Sequence, residues 1–125
     1  MNPASTIKKS QKEALFFKEI SLLFAAEKRD NPAVRDATIT KTTLSRDKGV
    51  CTVYFYTPKE ETVRDILNML ICYKPSLRKA LAERINARYT PEIVFRFDKQ
   101  YIKQKRIEEL FEAVAQKDKM ETQDS

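Results

Sequence analysis

Apolar residues recur at the three-to-four spacing of a helix in four stretches of this chain, and three stretches between them have the β-branched content or strict alternation of strands. The first helix is announced by Ser10 with Glu13 three residues on, the spacing of a capping box, and is predicted to run to about Lys28. Its apolar arc takes in Leu15, Phe16, Ile20, Leu22, Leu23, Phe24 and Ala26, with Phe17 widening it further. That is broader than a small core needs, so Phe17 or Phe24 is a candidate for an exposed, partner-facing patch. Asp30-Asn31-Pro32 stops the helix, because the residue before a proline is pushed out of the α region.

A strand is predicted over Ala37 to Leu44 and a second over Val50 to Thr57, joined by Ser45-Arg46-Asp47-Lys48-Gly49 with Gly49 as the natural place for a positive φ. In the second strand Cys51, Val53 and Phe55 point one way and Thr52, Tyr54 and Tyr56 the other. The two tyrosines either pack beneath a helix with their hydroxyls reaching water, or lie on an open sheet face where unpaired bases can stack on them. Thr57 is placed to cap the next helix, whose apolar positions are Val63, Ile66, Leu67, Leu70 and Ile71. Lys74-Pro75-Ser76 reads as a break, with a third helix starting at Pro75 and turning Leu77, Ala80, Leu81 and Ile85 inward. Tyr89-Thr90-Pro91 ends it and launches a third strand, in which Ile93, Phe95 and Phe97 alternate with polar residues. A last amphipathic helix is predicted over Tyr101 to Gln116, with Ile107, Leu110, Phe111 and Val114 on one side. Residues 1–9 are expected to be flexible, 10–116 to form one domain, and 117–125 to be a disordered tail.

The order helix, strand, strand, helix, helix, strand defines an α+β layer and matches the type II KH architecture, αββααβ, with an appended C-terminal helix. A KH domain clamps nucleic acid with a GXXG loop between its central helices. Here that junction reads Tyr73-Lys74-Pro75-Ser76, and the glycine loop is missing.

Composition narrows the chemistry. There is no histidine and a single glycine, so the commonest general base and metal ligand is absent and no glycine-rich phosphate loop can be built. No nucleophile, base and orienting group can be assembled, and an enzyme, a metal site and a cofactor are not expected. Cys51 and Cys72 lack a CxxC spacing and read as small buried hydrophobes. No apolar run reaches membrane-span length and no secretory signal opens the chain, so a cytoplasmic protein is expected.

Charge is the positive signal. Between Lys74 and Arg106 ten basic residues (Lys74, Arg78, Lys79, Arg84, Arg88, Arg96, Lys99, Lys103, Lys105, Arg106) face three acidic ones (Glu83, Glu92, Asp98), a balance of +7 in a chain whose net charge is +6. Clustering of this kind favours nucleic acid, where counterion release rewards concentrated Lys and Arg. Arg46, Lys74, Arg78, Lys79, Arg84 and Arg88 are the candidate phosphate contacts, with Arg96 and the group Lys103 to Arg106 widening the patch. Arg84 and Arg88 fall inside the apolar arc of their helix, and either snorkel past the core or emerge at a seam that phosphates can reach.

Several short sequences in order, Asp30-Asn31-Pro32, Leu44-Ser45-Arg46-Asp47, Leu77-Arg78, Arg88-Tyr89-Thr90-Pro91-Glu92, Phe97-Asp98 and Arg106-Ile107-Glu108-Glu109-Leu110, together resemble the ribosome-binding factor A family over about residues 10 to 115. That resemblance implies a type II KH-like fold with a helix-kink-helix in place of the glycine loop. It also implies a non-enzymatic cytoplasmic factor, expected to be a monomer, that binds the maturing small ribosomal subunit and its rRNA, with ribosomal proteins as further contacts. Such factors act late in assembly, are often linked to growth in the cold, and depart when maturation is complete. Two other readings are a generic KH-like RNA-binding or hibernation-type factor without subunit selectivity, and a protein interaction module using the apolar face of the first helix.

Overall fold

The computed structural model describes residues 3–85 and 90–123. Its elements are α1 (Pro3–Asp30), β1 (Thr38–Leu44), β2 (Val50–Tyr56), α2 (Val63–Ile85), β3 (Glu92–Phe97) and α3 (Lys99–Gln123). Short 3-10 turns at Pro32–Val34 and Glu60–Thr62 precede β1 and α2.

The hairpin forms as its alternation predicts, β1 antiparallel to β2, and β3 joins the other edge of β2 in parallel. A parallel neighbour cannot be reached through a tight turn, and α2 is the crossover that returns the chain to the start of β3. Cys51, Val53 and Phe55 from the central strand are buried without measurable exposure, against Phe16, Ile20 and Phe24 of α1, Ile66, Leu70, Leu77 and Leu81 of α2, and Ile93 and Phe95 of β3. Thr52, Tyr54 and Tyr56, on the other face, stay half-buried. The sheet is thus covered on one side only.

α1 is longer than its capping box predicts, beginning at Pro3 within the stretch 1–9 expected to be flexible. A proline suits the first helical turn, and neither Gly nor Pro intervenes before Pro32. Glu13 is consequently free for tertiary work: its carboxylate accepts from the Leu44 N–H at 2.7 Å, and its backbone carbonyl accepts from the Thr42 hydroxyl at 2.8 Å. Both bonds fasten α1 to the edge strand β1, and the first occupies a backbone donor that an open edge would offer to another chain. The helix ends where Asn31-Pro32 dictates: the Asn31 N–H donates to the Glu27 carbonyl at 2.8 Å, and the Asn31 side chain accepts from the Ala33 N–H at 3.1 Å, capping the following 3-10 turn. Phe24 is buried, whereas Phe17 is more than a third exposed, and Leu15 and Leu22 lie on the helix face turned away from the core.

Three local expectations are corrected. The positive φ of the hairpin turn falls on Lys48, at 61°, and not on Gly49. What Gly49 supplies is clearance, since a β-carbon there would sit 3.3 Å from both Asp47 carboxylate oxygens. Thr57 does not cap α2; it is buried with a hydroxyl that finds no partner among the described residues, and the cap position before the 3-10 turn belongs to Lys59. The break at Lys74-Pro75-Ser76 is no break in the helix: α2 runs from Val63 through Pro75 to Ile85, so the two predicted central helices are one. Pro75 has no N–H for the carbonyl four residues back, and Ile71 is exposed, which leaves that carbonyl a place to meet water. Buried Leu70 and Leu77 on either side hold both halves against the sheet.

α3 extends to Gln123, into the stretch 117–125 expected to be disordered. No Gly or Pro follows Pro91 to stop it, and its second half is rich in Glu, Ala, Lys and Gln, good helix formers. Only its root touches the domain. Asp98 caps it, accepting from the Tyr101 N–H at 3.1 Å, while Ile107, Leu110, Phe111 and Val114 are all more than half exposed.

The cysteines differ in kind. Burial, aided by the Glu13 carboxylate, pushes the Cys51 thiol up to about 12, whereas Cys72 is exposed on α2. A thiol reagent at neutral pH is expected to modify one site per native chain, Cys72, and both only after denaturation; mass mapping of the labelled peptides checks this.

Candidate nucleic-acid interface

The predicted cations divide into two groups and one exception. The first group lies at the end of the domain formed by the hairpin turn and the start of β3. There the turn is rigid: the Ser45 hydroxyl donates to the Asp47 carboxylate at 2.7 Å, the Gly49 N–H donates to the same oxygen at 3.0 Å, and the Val50 N–H donates to the Ser45 oxygen at 3.0 Å. These donors, Ser45 before Gly49, hold the Asp47 carboxyl below its ordinary range. The turn leaves Arg46 and Lys48 exposed. Across it, the Glu92 N–H donates to the Gly49 carbonyl at 2.9 Å, and Arg78 of α2 donates to the Thr90 carbonyl at 3.0 Å. Arg78 is therefore partly structural, pinning the connection into β3, although its guanidinium keeps further donors free at the surface. Lys74, half-buried, lies one turn before it, and Lys79 is exposed on the crest of the helix.

The exception is Arg84. Of the two courses open to it, Arg84 takes the first and snorkels to a protein partner: its Nε donates to the Glu19 carboxylate on α1, tying the two helices together. Arg88 lies outside the described residues, as do Asn86 and Tyr89.

The second group is on the uncovered face of the sheet. Arg96 stands in register with Tyr54, and Tyr54 with Lys41, so one row across the three strands reads Lys41, Tyr54, Arg96. Lys41, absent from the sequence-predicted patch, places its Nζ 4.6 Å from the Tyr54 ring centre. Its orientation depends on an irregularity between Ile39 and Lys41, where Thr40 drops out of the pairing and donates instead to the buried Asp98 carboxylate at 2.6 Å. Tyr56 neither lies bare nor sits under a helix: it stacks on Phe97 at 6.2 Å and meets Tyr101 at the root of α3 at 4.7 Å. Lys105 reaches over it at 5.8 Å, whereas Lys99, Lys103 and Arg106 line a separate cleft with Glu60 and Val63 at the start of α2.

Among the described residues no group of three or more His, Cys, Asp or Glu side chains could hold a metal ion, and no helix is long and apolar enough to cross a membrane.

A three-stranded sheet with α1 and α2 on one face, a parallel third strand and no glycine loop defines an α+β protein of the KH-like class. Comparison with known proteins narrows this. The sequence model of ribosome-binding factor A matches residues 8–111. Ribosome-binding factor A of Aliivibrio fischeri is 32% identical over 110 residues, covering 86% of this chain and 81% of the relative. The crystal structure of ribosome-binding factor A from Thermus thermophilus superposes with a TM-score of 0.62 at 27% identity, over 70% of this chain and 93% of that one. A homology model of the Thermus thermophilus factor, as fitted into the cryo-EM map of its 30S complex, superposes with a TM-score of 0.51 at 26% identity, over 65% and 89% of the two chains. The chain belongs to the ribosome-binding factor A family.

Proposed function

We propose that the protein binds the small ribosomal subunit and its rRNA in the cytoplasm during late maturation and rRNA processing, as a non-catalytic factor released when the subunit is complete. The observation that carries this reading is the family match across residues 8–111, together with a relative fitted into a 30S complex. The chemistry supports it: a compact KH-like body without a glycine clamp can still meet rRNA through fixed cations. Arg46, Lys74, Arg78 and Lys79 are the positioning contacts to phosphate, from a turn and a helix that are rigid before binding. Arg96 belongs to a separate surface, and Arg84 contributes chiefly to holding α1 on α2.

Co-sedimentation with immature small subunits, mature small subunits and large subunits tests the reading. The variant of choice is R46E/K74E/K79E, because reversing Arg78 would unpin Thr90 and reversing Arg84 would set a second carboxylate against Glu19. The wild-type chain is expected to pellet selectively with small subunits, immature above mature. The triple variant should bind at least about tenfold more weakly and with a shallower salt dependence, by roughly 0.7 to 0.9 in slope per lost phosphate contact. Equal pelleting with all particles would leave a generic RNA binder. Selective pelleting that survives charge reversal would instead point to the exposed Leu15, Phe17 and Leu22 on α1 as a protein interface.

A further inference from the structure

We propose that the uncovered face of the sheet, along the row Lys41, Tyr54 and Arg96 and into the cleft beside the root of α3, is a binding site for unpaired RNA nucleotides. This goes beyond the subunit-binding reading, which rests on the opposite end of the strands and on α2.

Four observations carry it. The face is uncovered, since the packed helices bury the Cys51, Val53 and Phe55 side of the sheet and leave Tyr54 and Tyr56 half-exposed. Its register sets a cation on each side of Tyr54 at about one strand spacing, roughly 5 Å, so Lys41 and Arg96 stand about 10 Å apart with an aromatic ring between them. That alternation suits a nucleotide strand, which carries a flat base and an anionic phosphate in every repeat; stacking and charge are then satisfied by neighbouring side chains. The lysines already occupy the rings' faces, Lys41 at 4.6 Å from Tyr54 and Lys105 at 5.8 Å from Tyr56. An arriving base can take the ring face while the displaced ammonium turns to its phosphate. Finally, a cleft of about 280 Å³ adjoins the row, lined by Thr40, Gln100, Gln104, Lys105 and Glu108 among others, and its amides can both donate to and accept from base edges. Asp98 adds little repulsion, because it is buried and already accepts from the Thr40 hydroxyl and the Tyr101 N–H. A duplex has its bases stacked internally and would leave the rings unused, which is why the occupant is single-stranded.

The test is fluorescence anisotropy of the full chain with a labelled eight-nucleotide oligo(A) and a labelled eight-base-pair RNA duplex, without ribosomal particles. The single strand is expected to bind more tightly than the duplex. Tyr54→Leu should weaken its binding about tenfold, within the range for loss of one base stack, while Tyr54→Phe, which keeps the ring, should leave it unchanged. K41E/R96E should lower the salt slope by roughly 1.4, or about 0.7 for each lost contact to a single strand. R46E/K74E/K79E, which takes the net charge from +6 to 0, should weaken oligo(A) binding less than K41E/R96E does and keep the preference for strand over duplex, so failure here and failure of subunit binding are separate results. Equal affinity for strand and duplex, or an unaltered Tyr54→Leu, overturns the proposal, as does a polyglutamate peptide that displaces oligo(A) as well as unlabelled oligo(A) does. Should Tyr54→Leu fail to fold, the wild-type protein decides: added oligo(A) is expected to move the Tyr54 and Tyr56 ring proton resonances upfield, and unmoved rings overturn the proposal.

Discussion

Replacing Phe55 with alanine is expected to destabilise the domain by about 3–5 kcal/mol, the range for removing a large ring from a packed core. Phe55 is the most enclosed aromatic among the described residues, with no measurable exposure at the centre of the middle strand, and it meets Phe97 edge-on at 5.8 Å. A neighbour on each side limits the collapse that could refill the space: Ile39 and Phe97 are its partners in the sheet register. Domains of this size hold only about 5–15 kcal/mol in total, so one substitution removes a large share. Urea titration should show the midpoint falling while the slope stays constant, and Thr52→Ala on the open face should shift it by no more than about 0.5 kcal/mol. A Phe55→Ala loss below about 1 kcal/mol would mean that the sheet and helices do not pack as described.

Pro75→Ala should act in the other direction. Within a helix interior proline is about 3 kcal/mol less favourable than alanine, because it lacks the N–H and crowds the preceding turn. Part of that is returned through the unfolded chain, which proline restricts by about 0.4–1 kcal/mol. The net expectation is a gain of about 2 kcal/mol, read as a higher urea midpoint. The Ile71 carbonyl would recover its hydrogen bond, and the strain between two halves of α2 that are both tied to the core would fall. A loss of stability would overturn this account, and would mean that the ring itself makes contacts worth more than the missing bond.

Much of the fold was legible because single periodicities dictate it. The alternation of Cys51, Val53 and Phe55 fixed the buried face of the central strand, and Asn31-Pro32 stopped α1 where it was expected to. What failed were local rules applied without their tertiary context. Pro75 looks like a terminator, yet Ile66, Leu70, Tyr73, Leu77 and Leu81 keep one helical phase across it, and an uninterrupted stripe outweighs one missing hydrogen bond. Ser10 and Glu13 have capping-box spacing, but the carboxylate gains more by satisfying the edge of β1 than by starting a helix already under way. Gly49 is in the chain for space, and Lys48 takes the left-handed conformation.

The candidate interface was less legible than the fold. A count of charges along the chain joins residues that the topology separates: Arg96 faces away from the Arg46 and Arg78 end, and Arg84 is engaged by Glu19, 65 positions earlier. Lys41 lies far from the charge run that begins at Lys74, and only the pairing irregularity at Thr40 and the sheet register set it beside Tyr54.

The parallel pairing of β3 with β2 also makes the two closures of the sheet unequal. The hairpin closes through five residues, whereas pairing β3 with β2 closes a loop that contains the whole of α2 and costs correspondingly more chain entropy. The Glu92 to Gly49 and Arg78 to Thr90 bonds fasten the far end of that crossover to the hairpin and to α2. Any ligand that binds across the cationic end they complete would therefore hold the hairpin turn, α2 and the start of β3 together, and would stabilise the native chain by mass action.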